Sequence, residues 1–113
     1  MNRGDRHGEK PLDLAFSDRA LRYVCESEAR ARKTLGAAAA ADLHARLSDL
    51  EAIDAVTEMS WVPIMVEGAR VRIEFHRGFR LLADANEAKP PLLDGLIDWS
   101  RVGRLLLREI KQT

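Results

Sequence analysis

The stretch Val71-Arg72-Ile73-Glu74-Phe75-His76-Arg77-Gly78-Phe79-Arg80-Leu81-Leu82-Ala83 decides the fold. Val71, Ile73 and Phe75 alternate with Arg72, Glu74 and His76, and a period of two sends one set to a buried face and the other to an exposed one. Arg77-Gly78 is a tight-turn signal, so the run from Phe79 to Ala83 returns as a second strand. Phe79 and Leu81 then share one face and Arg80 takes the other. The same alternation assigns His76 to the face of Arg72 and Glu74.

Upstream, Val62, Ile64 and Val66 alternate in a run that begins at Trp61. Pro63 lacks a ladder donor and confines this run to an edge strand or a strand start. Glu67-Gly68-Ala69 marks the turn into the next strand.

Before residue 60 the period is helical. Five consecutive alanines open a helix predicted over residues 37–53, with Leu43, Leu47, Leu50 and Ile53 as its apolar stripe. Gly36 separates it from a helix predicted over 18–35, so the pair forms an antiparallel hairpin. That first helix takes Ser17 as N-cap and Asp18 in its first turn. It carries Leu21, Val24, Cys25 and Leu35 near one face and Arg30, Arg32 and Lys33 in its last turn. Cys25 is expected as a small core residue and His44 at the surface of the second helix. Leu12, Leu14 and Phe16 alternate with Asp13 and Ala15 in a short opening strand.

Three segments are less determined. Residues 55–60 suit a frayed helix end or a short turn. Residues 84–97, with Asn86, Pro90, Pro91 and Gly95, predict a long loop, and Asp98 or Ser100 is expected to fix the turn after it by accepting backbone N–H bonds. Residues 99–110 contain Leu105-Leu106-Leu107, which suits a helix and a buried strand equally. Strand, helices, then strands is an α+β order: an N-terminal strand and a two-helix antiparallel hairpin packed on a small antiparallel sheet.

A length of 113 residues fits one domain, assigned to residues 12–113, with residues 1–11 as a flexible N-terminal tail. The tail has no apolar run and no stretch of the chain approaches about 18–20 consecutive apolar residues, so neither a secretory signal nor a membrane span is expected and the domain is read as cytoplasmic. A lone Cys25 excludes a disulfide framework and a Cys-rich zinc site. With no Gly-rich phosphate loop and no His-x-x-x-His spacing, neither a cofactor nor a metal is expected. Eighteen Lys+Arg balance eighteen Asp+Glu, but unevenly: residues 70–113 hold nine Lys+Arg against six Asp+Glu, and residues 1–69 hold nine against twelve. A mildly basic half therefore succeeds an acidic one, a polarity that suits RNA on one side and a basic partner segment on the other.

Three segments carry a resemblance to a known family. They are Phe16-Ser17-Asp18-Arg19-Ala20-Leu21-Arg22-Tyr23-Val24-Cys25, then Leu43-His44-Ala45-Arg46-Leu47-Ser48-Asp49-Leu50-Glu51-Ala52, and Gly78-Phe79-Arg80-Leu81-Leu82 followed beyond a Pro-containing loop by Gly95-Leu96-Ile97-Asp98-Trp99-Ser100-Arg101-Val102. Together they resemble the RelE/ParE toxin superfamily, and more closely its HigB-like "killer protein" branch. The resemblance covers residues 12–113 and implies a strand over residues 102–110. It also implies the toxin of a type II toxin–antitoxin pair, a ribosome-dependent mRNA endonuclease that inhibits translation. Its partners would be mRNA on the ribosome and a HigA-like helix-turn-helix antitoxin, with operator DNA reached only through that antitoxin.

Such toxins cut RNA without metal by activating the ribose 2′-OH against the adjacent phosphate. The reaction needs a base, cations for the phosphorane-like charge and an acid for the leaving 5′-oxygen. The residues assigned to this chemistry are Arg80, Arg70 and His76, with Arg72, Arg77 and Lys111 as RNA-binding cations. Arg80 matches the Arg of the family's aromatic-Arg-Leu strand. Arg70 matches the Arg of its Lys-Gly-x-Arg hairpin if the hairpin here is shorter, whereas an ungapped pairing puts Glu67 there. The family's hairpin Lys has no counterpart, and Glu109-Ile110-Lys111-Gln112-Thr113 carries no His. Those departures point to an alternative, a non-catalytic RelE-fold partner or corepressor of a helix-turn-helix antitoxin. A ParE-like gyrase inhibitor on the same scaffold is a third reading.

Overall fold

Strands β3 (Arg70–His76) and β4 (Phe79–Ala85) form the hairpin that the alternation dictates. Gly78 closes it with φ +83°, a left-handed value that glycine adopts without steric cost. The structure is a computed structural model and describes residues 11–112. All but Pro11 of the tail assigned to residues 1–11 lies outside the described residues. Val71, Ile73, Leu81 and Ala83 are fully buried, and Phe75 nearly so, on the inner face.

The main sheet has five strands in the order β1-β7-β4-β3-β2, where β1 is Asp13–Phe16, β2 is Ile64–Glu67 and β7 is Arg104–Gln112. It is mixed rather than antiparallel throughout, because β1 runs parallel to β7 while every other pair is antiparallel. The segment that suited helix and strand equally is thus a strand. It lies between β1 and β4, where Leu105 and Leu107 reach the core and lose all solvent contact. β2 occupies an edge and begins at Ile64, directly after Pro63, so both expected placements hold together.

The helices are α1 (Arg19–Glu26), α2 (Glu28–Leu35) and α3 (Ala37–Glu51); α1 and α3 pack on the inner face of the sheet, and α2 packs on both of them. The single helix expected over 18–35 is divided at Ser27. Ser27 has extended backbone (φ −116°, ψ 115°), and its Oγ accepts the Arg30 N–H at 3.2 Å, so it caps a new helix instead of continuing the old one. The N-cap of α1 is Asp18, not Ser17. Its Oδ1 accepts the Leu21 N–H at 2.8 Å, while Ser17 Oγ donates to the Arg108 carbonyl and ties the helix entry to β7. Gly36, at φ +91°, joins α2 to α3, and the two pack on each other. Leu43 and Leu50 on α3 are completely buried, with Leu47 beside them.

α3 ends two residues before Ile53, yet Ile53 stays in the core and its carbonyl accepts the Leu12 N–H at 2.8 Å. A 3-10 turn over Val56–Glu58 fills the undetermined segment. The expected long loop is shorter: β4 runs on to Ala85, and β5 (Leu92–Leu93) pairs with β6 (Leu96–Ile97) around Asp94 and Gly95, both at positive φ. Asp98 fixes the next turn as expected, accepting the N–H and the hydroxyl of Ser100. Among the described residues no helix is long and apolar enough to cross a membrane.

Candidate nucleic-acid interface

The helices leave the other face of the sheet open, and alternation fills it with charge. Across β2, β3, β4 and β7 the register sets residues in rows. One row reads Glu67, Arg70, Asp84 and Leu106. The next reads Met65, Arg72, Leu82 and Glu109. The third reads Glu74, Arg80 and Lys111.

Four of the six residues expected in the site lie on this face: Arg70, Arg72, Arg80 and Lys111. Their chemistry differs. Arg70 forks onto Asp84, with Nε 2.8 Å from Oδ1 and Nη2 3.3 Å from Oδ2. This hydrogen bond, then the charge behind it, raises the Arg70 pKa above its usual range. Arg108, the bulged residue of β7, approaches the same carboxylate at 3.6 Å. Arg72 donates to Glu67 Oε2 at 2.9 Å. Arg80 makes no ion pair among the described residues, and Lys111 beside it is exposed. Arg80, Arg72 and Glu74 line a 310 Å³ groove whose other wall is Pro63, Ile64 and Met65.

His76 is not on this face, contrary to the alternation. Glu74 pairs with Arg80 but His76 pairs with Phe79, so Phe75 is an extra residue in β3. A bulge of one residue reverses the facing of the residues beyond it. His76 therefore turns to α3, where its Nδ1 lies 2.6 Å from Asp42 Oδ2, and its ring lies 5.9 Å from that of Phe79. Arg77 sits exposed in the turn beyond it, outside both faces. The expected constellation is thus divided between an outer face, a helix-side edge and a turn.

Glu74 is the residue that sequence reasoning did not include. Its backbone is held from both sides: its carbonyl accepts the Arg46 Nε–H at 3.1 Å, and its N–H donates to the Pro63 carbonyl at 3.3 Å. Its carboxylate is exposed and makes no ion pair among the described residues. The alternation already put Glu74 beside Arg72. What it lacked was the register that sets Glu74 across from Arg80.

The remaining candidates have structural roles. Cys25 is buried, and burial, followed by the charge of Glu26, pushes its thiol up to about 12. His44 is half-buried rather than at the surface, with its Nε2 3.2 Å from the Val24 carbonyl, where it borders a 660 Å³ cleft between β1, α1 and α3. Trp99 is buried as packing, whereas Trp61 is 61% exposed just ahead of β2. Among the described residues no three His, Cys, Asp or Glu side chains gather as a metal site. Comparison with known protein families, with curated proteins and with solved structures finds no match for the chain.

Proposed function

We propose that this chain is the toxin of a type II toxin–antitoxin system, a metal-free endoribonuclease that cuts mRNA on the ribosome. This is the function implied by the resemblance to the HigB-like branch of the RelE/ParE superfamily. The observation that carries it is Arg80: a guanidinium on the open sheet face, bordering a groove, bound by no carboxylate among the described residues and with Lys111 as its cross-strand neighbour. A free planar guanidinium suits a phosphate in the act of transfer, because it stays charged and matches two oxygens at once. An α+β order with an opening strand, a helical layer and a final strand inside the sheet between β1 and β4 supports this reading. The partner would be a HigA-like helix-turn-helix antitoxin, through which alone the chain reaches operator DNA.

The test is controlled expression in bacterial cells. The wild type should arrest growth, with primer extension showing new breaks in mRNA, and Arg80→Ala should do neither. Arrest without RNA breaks would point to the gyrase-inhibitor reading.

A second reading has its own observation. Arg70 is bound to Asp84 and Arg72 to Glu67, so half of the expected cations on this face are already neutralised. A RelE-fold partner without nuclease activity, acting as corepressor of its antitoxin, needs no free cation there. Expression without arrest, together with tight antitoxin binding, would favour it.

A further inference from the structure

β1 stands at an edge of the main sheet with its outer rim unused. The Asp13 N–H donates to the Gly103 carbonyl at 3.0 Å and the Ser17 N–H to the Leu107 carbonyl at 2.9 Å, so both turn toward β7. In a parallel pair, alternate residues bond to opposite sides, which turns Leu14 and Phe16 to the open rim. Their N–H and C=O groups meet no partner there among the described residues. The other edge of the sheet is less suited to pairing. β2 is entered through Pro63, which has no N–H to offer.

The 660 Å³ cleft between β1, α1 and α3 borders this rim, and its charges do not balance. Arg22 is spent inside it: the Nε lies 3.2 Å from Glu26 Oε1, and the guanidinium lies 5.6 Å from the centre of the Phe16 ring. His44 gives its Nε2–H to the Val24 carbonyl. Asp13 and Glu51 also line the cleft and make no ion pair among the described residues. The Leu12 N–H, bonded to the Ile53 carbonyl, ties the start of β1 to the chain just past α3, so both carboxylates stand toward one end of the cleft. Glu51 closes α3, and a helix C-terminus favours a cation as well.

We propose that this edge docks an extended, basic segment of a partner protein, which adds a sixth strand beside β1. The inference does not depend on RNA cleavage, since Arg80 lies on β4, two strands away. Main-chain bonds to Leu14 and Phe16 supply affinity, and the side chains supply specificity. An added strand alternates as β1 does. Its helix-side residues meet Leu14, Phe16 and Leu47 and are apolar; those on the other side share the face of Asp13 and are basic. β1 offers four residues, about 13 Å of edge, which a segment of about six residues spans. An acidic segment or a nucleic acid would set its charge against Asp13 and Glu51, with no unpaired arginine or lysine in the cleft to receive it.

The test uses the full chain and a fluorescent eight-residue peptide of alternating lysine and valine. In the free protein, amide hydrogen exchange should be fast at Leu14 and Phe16 and slow at Asp13 and Ser17. Saturating peptide should slow Leu14 and Phe16. The double variant Asp13→Asn, Glu51→Gln should bind about three- to tenfold more weakly, the size of two exposed ion pairs, and the same peptide with glutamate for lysine should not bind. A strand uses only one side of its backbone to pair with a neighbour. Of two peptides N-methylated at every lysine or at every valine, one should therefore keep binding and the other lose it. No binding up to about 1 mM peptide, no protection of Leu14 and Phe16 at saturation, or equal binding of both methylated peptides overturns the proposal. Slow exchange at these two amides in the free protein overturns it too. That result assigns the edge to the chain itself if independent of protein concentration, and to a second copy if dependent on it. The wild-type exchange pattern decides the matter whether or not the double variant folds.

Discussion

Arg70 and Asp84 face each other in register on β3 and β4 and close a forked ion pair, Nε to Oδ1 at 2.8 Å and Nη2 to Oδ2 at 3.3 Å. An arginine matched this way to a carboxylate spends one edge of its fork and offsets its charge, so it holds a phosphate less strongly than an unpaired one. Cleavage by Arg70→Ala should therefore stay close to wild type, whereas Arg80→Ala should lose about 10²-fold, as for loss of one preorganised charge-stabilising donor. Single-turnover rates of the two variants side by side check this.

Asp84 also lies 3.6 Å from Arg108, so one carboxylate restrains two cations. Asp84→Asn keeps the shape and removes the charge. RNA affinity should rise at low salt, and the plot of log affinity against log salt should steepen by about one unit, because a further phosphate contact releases a further counterion. Fluorescence titrations at several salt concentrations measure the slope.

The break between α1 and α2 depends on Ser27 Oγ accepting the Arg30 N–H. Ser27→Ala leaves that donor without its cap and should lower stability by about 1 kcal/mol. The urea midpoint should fall with the m-value unchanged.

Burial holds the Cys25 thiol protonated, at about 12 against an ordinary 9.0. The native protein should resist a thiol reagent at pH 8 and react at once in denaturant. Since the folded value is the higher one, the fold keeps the full benefit of the neutral thiol below pH 9. It loses that benefit as pH rises from there toward 12. Cys25→Ala should remove this alkaline loss, read as the difference between urea midpoints at pH 7 and pH 10.

Asp98 behaves in the opposite sense. Hydrogen bonds from Ser100 and then Arg101 hold its carboxyl below the ordinary carboxylate range. Its contribution is present above the unfolded value near 3.9 and is lost as pH falls through the lowered folded value. Asp98→Asn should therefore be less stable than wild type at pH 6, with the gap closing on acidification below pH 4.

The sheet hairpin was legible because Val71, Ile73 and Phe75 alternate on one side of the Arg77-Gly78 turn and Phe79 and Leu81 on the other, and a one-residue slip of either run would have exposed its apolar set. The helix break was not: Ser27 interrupts no apolar stripe, and its capping bond competes locally with helix continuation. His76 was misplaced for a related reason. The bulge at Phe75 adds one residue without changing the alternating composition, and only the partner strand reveals it. The outer face was read correctly for Arg72 and Arg80. Its ion pairs and the Glu74–Arg80–Lys111 row depend on which residues stand opposite one another, information that a single strand does not carry.

The most direct test of the central claim is the chemistry of the cut. Purified protein is given to ribosomes carrying a defined mRNA, and the RNA ends are analysed by gel with and without Arg80. The account predicts fragments ending in a 2′,3′-cyclic phosphate with the wild type and almost none with Arg80→Ala. Intact mRNA with the wild type, or the same fragments at the same rate without the guanidinium of Arg80, would contradict it.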